Sequence, residues 1–162
     1  MKLIITNRGI AGYMMKNPDK YPGITHILSI GAKGDPLQTV PSGYKKHPAK
    51  HKLRLDFWDI SDEKRKNMNG PSEKDVKKLI DFFSEAIKSE EEPSFLIHCF
   101  AGKSRSTAAG LILLNMFYKD SARARYELFG LVPAAIPNKR MIKLANTVFA
   151  EGSNRRYFAE II

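Results

Sequence analysis

Apolar and polar positions along the chain sort into short runs with two distinct periods. Lys2-Leu3-Ile4-Ile5 reads as a first strand, and Ile24-Thr25-His26-Ile27-Leu28-Ser29-Ile30 as a second, buried one. Gly31 to Lys50 then carries three Gly and three Pro among lysines, which marks a loop or irregular lobe. Lys52-Leu53-Arg54-Leu55-Asp56-Phe57 alternates with period two, the pattern of a strand with one wet face. After Pro71 the period changes. Ser72 and Asp75 have capping-box spacing, and Val76, Leu79, Ile80, Phe83 and Ile87 form one helical stripe with Lys77, Lys78, Asp81 and Lys88 off it. Glu90-Glu91-Glu92-Pro93 ends that helix, and Phe95-Leu96-Ile97 follows as a wholly apolar strand. A further helical run reaches Phe117, another starts near Ser121, and a last one starts at Pro137-Asn138 with Met141, Leu144, Ala145 and Val148 inward. Apolar strands separated by helices predict the α/β class, a mostly parallel central sheet flanked by helices on both faces.

Composition narrows the possibilities. A chain of 162 residues is expected to be a single domain, residues 1–162, burying roughly two-thirds of the surface its unfolded form exposes. One cysteine excludes a disulfide-stapled scaffold. The N-terminus turns polar by Thr6-Asn7-Arg8, too early for a signal peptide's apolar stretch. The longest apolar run, Ala108 to Met116, is interrupted by Asn115 and is too short to span a bilayer, so the expected setting is cytoplasmic with no transmembrane segment. The formal charge is +10, and it is uneven: ten Lys/Arg against two acids in residues 1–54, seven against eleven in 55–100, and ten against four in 101–162. Such a distribution attracts phosphorylated or otherwise anionic partners, or simply keeps the chain in solution.

The candidate chemistry lies in one segment. Phe95-Leu96-Ile97 runs into His98-Cys99-Phe100-Ala101-Gly102-Lys103-Ser104-Arg105-Ser106-Thr107 and then into a helix. A strand, a tight glycine loop and a helix N-terminus in succession bind anions, because the first helical N–H groups lack partners and the helix dipole adds positive charge. Arg105 closes the loop with a planar fork suited to two phosphate oxygens. This surrounding favours the thiolate of Cys99 over the thiol, placed for in-line attack on phosphorus to form a phosphocysteine. A carboxyl group on a nearby loop would protonate the leaving oxygen and then activate water. A Walker loop is the wrong reading of Gly102-Lys103-Ser104, since Ile97 stands where that motif has its first glycine. A buried structural cysteine beside a surface arginine is the other competing reading.

His98-Cys99-x-x-Gly102-x-x-Arg105-Ser106 resembles the active-site signature of cysteine-dependent protein phosphatases, and Ser104-Arg105-Ser106 looks most like the small dual-specificity branch. Gly23-Ile24-Thr25-His26-Ile27-Leu28 is similar to that branch's early strand, Pro137-Asn138 falls where its last helix begins, and the resemblance covers about residues 20–150. It implies a dual-specificity-phosphatase-like fold, with Cys99 as nucleophile and Arg105 as phosphate and transition-state binder. The backbone of Phe100, Ala101, Gly102, Lys103, Ser104 and Arg105 would form the phosphate cradle, and Ser106 would hydrogen-bond the leaving sulfur. His98 is implied to be a structural neighbour, neither acid nor base. The family's acid aspartate falls within Leu55 to Asp62 here. Alternation puts Asp56 on the wet side of a strand, Asp59 follows Phe57-Trp58 where the alternation ends, and Asp62 lies further on; Asp59 is favoured over Asp62 and Asp56.

The expected substrate is a phosphotyrosine protein, with phosphoserine and phosphothreonine accepted if the pocket is shallow, and phosphate or sulfate is expected to occupy the loop. Ala101-Gly102-Lys103 is similar to the loop of phosphoinositide phosphatases but departs from it at Phe100, so a phosphoinositide or RNA 5′-phosphate substrate is the alternative. A phospho-binding module without turnover is the alternative outside enzymes. The cluster Lys45, Lys46, His47, Lys50 and Lys52 could flank the site or be solvated loop. Neither a cofactor nor a metal is expected, because His26, His47 and His51 lack the spacing of a metal site. No specific nucleic-acid partner is expected either, and a monomer is the favoured state.

Overall fold

Among the described residues, four six-residue strands take up the apolar runs: β1 (Lys2–Asn7), β2 (His26–Gly31), β3 (His51–Asp56) and β4 (Ser94–Cys99). They pair in parallel throughout, in the order β1-β4-β2-β3. The structure is a computed structural model that describes residues 1–61, 69–89 and 92–151. Five helices accompany the sheet there: α1 (Arg8–Lys16), α2 (Glu73–Lys88), α3 (Arg105–Tyr118), α4 (Ser121–Leu131) and α5 (Lys139–Glu151).

The period of two in the strands divides the core. Leu28, Ile30, Phe95 and Ile97 pack with α2, α3, α4 and α5, while Ile27 and Leu96 pack with Ala11, Met14 and Met15 of α1. Both faces are covered as expected, four helices on one side and one on the other. Neighbouring strands β1 and β4 feed helices on opposite faces. That divergence opens a crevice at the carboxyl ends of the strands, where ligands of open α/β sheets bind. Register places Asn7 beside Cys99 and Gly31 beside Asp56 along this one edge.

Two helices show how local sequence sets the frame. In α2 the Ser72 hydroxyl accepts from the Asp75 N–H and Asp75 accepts from the Ser72 N–H, the reciprocal cap expected from the spacing. Its stripe Val76, Leu79, Ile80 and Phe83 is buried, with Ala86 joining it and Ile87 partly buried. α1 was not evident from the sequence. Asn7 caps it by accepting from Ile10 N–H, and Ala11, Met14 and Met15 supply a buried stripe that Gly9 and Gly12 obscure to any propensity-based reading. The inward face of α5 includes Ile142 and Phe149 beside Met141 and Ala145, with Leu144 and Val148 half-buried at its border. Among the described residues, no helix is long and apolar enough to cross a membrane.

Candidate active site

Cys99 ends β4 and its side chain is buried at the floor of the loop that leads to α3. Two groups converge on its sulfur: Gly102 N–H donates to Sγ at 3.2 Å, and Ser106 Oγ lies 3.2 Å from it. The loop can turn this tightly because Gly102 adopts φ +75° with its α-carbon against β1. A Cβ there would stand 2.7 Å from Asn7 N and from the Thr6 carbonyl carbon. The Phe100 carbonyl accepts from Arg8 N–H, so the loop is also tied to the start of α1. Ile136 N–H donates to the Lys103 carbonyl and Asn138 N–H to that of Ser104, which ties its far side to the segment before α5.

Arg105, the first residue of α3, is buried, and most of its guanidinium is already directed. Nη1 donates to the carbonyls of Gly31 (3.1 Å) and Phe57 (2.8 Å), and Nη2 donates to Gln38 Oε1 at 2.6 Å. Nε–H, also buried, has no hydrogen-bond partner among the described residues. A buried charged donor without an acceptor is costly unless a ligand completes it. Nε and Nη2 share one edge of the guanidinium plane, an edge suited to two oxygens of a phosphate or carboxylate.

The three candidate carboxylates have different fates. Asp56 is exposed at the end of β3 and is held by Arg54, whose Nη2 and Nε reach Oδ1 at 2.6 and 3.0 Å. It is committed to that pair. Asp59 lies in the segment after β3 with its side chain 38% exposed, and Oδ2 stands 3.9 Å from Arg105 Nε. Its other oxygen, Oδ1, accepts from Ser104 Oγ and from Asn138 Nδ2, both at 2.7 Å. One carboxylate oxygen is thus anchored and the other is directed toward the loop. Asp62 lies outside the described residues.

Gln38 and Asn138 were not expected in the site from sequence, and Ser104 was expected there only through its backbone. Gln38 ends a 3-10 turn over Pro36–Gln38, is buried, and accepts from Arg105 through its side chain and from Arg54 through its carbonyl. Asn138 is fully buried, and besides holding Asp59 it caps α5 by accepting from Met141 N–H. Ser104 occupies the N-cap of α3 without capping it, because its hydroxyl donates to Asp59. Pro137-Asn138 could have signalled a cap, and Asp35-Pro36 a turn. No local pattern joins either to an arginine or aspartate many tens of residues away.

His98 is buried beside Cys99, and burial pushes its imidazole down to about 4. The positive charges of Arg54, Arg8 and Arg105 add to this, against a backbone hydrogen bond to Cys99 that raises it. A ring with that value is neutral at pH 7. Lys103 and Phe100 are exposed on the loop. The basic cluster of the 31–50 lobe does not line up with them as a group. Lys52 Nζ donates to the carbonyls of Lys45 and His47, and Lys50 precedes β3 at the amino-terminal edge of the sheet, a strand length of roughly 20 Å from the cysteine edge. His26 and His51 stack there with ring centroids 4.5 Å apart, and His47 Nδ1 accepts from Ala49 N–H.

No family model and no curated protein matches the chain. Solved structures do. Human DUSP28 superposes with a TM-score of 0.63 at 18% identity, covering 93% of this chain and 95% of that one. A mouse protein assigned as a dual specificity phosphatase, complexed with zinc tungstate, gives 0.64 at 22% identity over 92% and 85%. The human tyrosine phosphatase-like serine/threonine/tyrosine-interacting protein gives 0.67 at 18% identity over 92% and 91%. The chain therefore has the fold of the small dual-specificity phosphatases, the fold implied by the signature at residues 98–106.

Proposed function

We propose that the chain is a cysteine-dependent phosphomonoester hydrolase acting on phosphotyrosine proteins, and on phosphoserine and phosphothreonine where the mouth admits them. The observation that carries this reading is the convergence of Gly102 N–H and Ser106 Oγ on the Cys99 sulfur at the mouth of α3. A structural cysteine has no need of two polar neighbours on its sulfur and an incomplete guanidinium beside it. The fold shared with dual-specificity phosphatases supports the same reading, as does the tungstate, an oxyanion resembling phosphate, with which the mouse neighbour was solved.

In the proposed reaction the phosphate ester sits in the cradle of residues 100–105, two of its oxygens on the Nε and Nη2 edge of Arg105. The Cys99 thiolate attacks phosphorus opposite the ester oxygen. The S–P bond forms as the P–O bond breaks, and the carboxylic acid of Asp59 gives its proton to the departing oxygen. Asp59, now a carboxylate, takes a proton from water, which attacks phosphorus. The S–P bond breaks and the Ser106 hydroxyl donates to the leaving sulfur. The loop amides and Arg105 hold the added negative charge in both steps. Anchoring Oδ1 of Asp59 on Ser104 and Asn138 leaves Oδ2 to handle the proton. Such a thiol requires a reducing compartment, so we place the enzyme in the cytoplasm.

Lys103, exposed on the loop, favours a second reading in which further phosphates of a phosphoinositide are met there. The non-catalytic reading leaves the Asp59 carboxylate, anchored by Ser104 and Asn138, without a task. Phosphate release by the native chain and Cys99→Ser in parallel, on a phosphotyrosine peptide, a phosphothreonine peptide and a phosphoinositide, separates the readings. Release from a peptide that vanishes in Cys99→Ser is the expected result. Release from the phosphoinositide alone would transfer the reading to lipids. Phosphopeptide binding without release from any substrate would leave a binding module.

A further inference from the structure

A second concave site lies on the four-helix side of the sheet, away from Cys99. It is a groove of about 490 Å3 between α3, α4 and α5. Leu111, Phe129, Pro137 and Ile142 supply its apolar walls, and Arg125, Lys139 and Lys143 contribute its cations. Arg125 and Lys139 form no salt bridge among the described residues. Phe129 is 45% exposed, an unusual position for a phenylalanine on a helix that buries only Ala124 and Leu128. Lys139 is also the first residue of α5, where the helix dipole adds positive charge. Apolar walls with a few charged residues in the lining, in this size range, suit a small-molecule site.

We propose that this groove binds a single-chain amphipathic anion: an alkyl or acyl chain against Leu111, Phe129 and Ile142, with a carboxylate or similar head on Arg125 and Lys139. Both halves of such a ligand are matched. A purely apolar molecule would make no use of the exposed Arg125 and Lys139, and an inorganic anion would leave Phe129 wet. A bound chain also packs against Pro137, one residue before Asn138, which holds Asp59, and one after Ile136, which is bonded to the Lys103 carbonyl. Occupancy is therefore expected to change the rate on substrates that need the acid. That consequence rests on the hydrolase reading, whereas binding does not.

Calorimetric titration of the full chain with decanoate and with decyltrimethylammonium, each with and without saturating vanadate, tests the assignment. Decanoate should bind at one site, unaffected by vanadate, and the cationic analogue should bind at least roughly tenfold more weakly. Arg125→Ala/Lys139→Ala should weaken decanoate by about tenfold or more. Phe129→Asp should remove the binding, with both variants folded by circular dichroism because the altered side chains are exposed. If Phe129→Asp does not fold, the double alanine variant decides alone. Equal affinity for the two head groups, or affinity unchanged in the double variant, would overturn the proposal. Displacement by vanadate would mean that the anion sits in the Cys99 loop and would overturn it too. Binding to vesicles of an anionic two-chain lipid but not to decanoate would overturn the single-chain assignment.

Discussion

Two arginines meet at Gln38 and have opposite fates. Arg54 donates to Ser29 Oγ, to the Gln38 carbonyl and, through Nε and Nη2, to Asp56, so each of its three nitrogens has an acceptor. Arg105 donates to Gly31, Phe57 and Gln38 but leaves Nε buried without a hydrogen-bond acceptor among the described residues, with Asp59 at ion-pair distance, 3.9 Å. The first arginine is a strut; Gly31 has no room for a Cβ because Arg54 Nη2 would stand 2.0 Å away. The second is held in place and left incomplete. An arginine beside an aspartate is therefore no sign of function in itself. What separates the two is whether the guanidinium is already satisfied.

Replacing the incomplete arginine should have the largest effect. Arg105→Lys keeps the charge but removes the flat two-point edge, and kcat on a phosphotyrosine peptide should fall by on the order of 10³-fold. A fall of only a few-fold would mean that a point charge suffices. Asp59→Asn should lower kcat/KM by about 10²-fold on the peptide and far less on p-nitrophenyl phosphate, whose leaving group needs little protonation. Equal losses on both would move the acid role away from Asp59, with Asp62 next to test.

Both arginines, with Arg8, bear on the buried His98. Its folded value of about 4 lies below the 6.5 of an unperturbed histidine, so folding favours the neutral ring. That contribution is complete above about pH 6.5 and is lost as pH falls toward 4, to an extent on the order of 3 kcal/mol. Urea unfolding across this window should show the loss in the native chain and a flatter profile in His98→Asn. Parallel profiles would contradict the burial argument.

Smaller effects separate the two ends of Gln38. Gln38→Ala removes the acceptor of Arg105 Nη2 but keeps the carbonyl that serves Arg54, so kcat/KM should fall by about tenfold and stability by about 1–3 kcal/mol, because a buried charged donor loses its acceptor. Asp56→Asn should leave kcat/KM within about twofold and cost at most about 1 kcal/mol, because the pair is partly exposed. A large catalytic loss in Asp56→Asn would erase the distinction between the two arginines.

How much of this was legible in the sequence follows from the range of the interactions. The parallel sheet was written in runs such as Phe95-Leu96-Ile97, and α2 in the reciprocal cap of Ser72 and Asp75, three residues apart. The loop from Cys99 to Ser106 is legible as a local pattern of one glycine and the start of one helix, although Arg8, Ile136 and Asn138 tie it down from far along the chain. Gln38 is different: it reaches Arg105 across 67 residues, and Asn138 reaches Asp59 across 79, from segments without periodicity. The preference for Asp59 over Asp56 came partly from alternation, which showed that Asp56 faced outward. It could not show that Arg54 held it.

The central claim is that Cys99 carries the phosphoryl group, and trapping that intermediate tests it most directly. Asp59→Asn reacted with p-nitrophenyl phosphate, quenched in acid and digested, should yield the Cys99 peptide heavier by one phosphoryl group. Native chain should show little of it, because Asp59 activates the water that clears it. Steady turnover by Asp59→Asn with no phosphoryl group on Cys99 at any quench time would contradict the account.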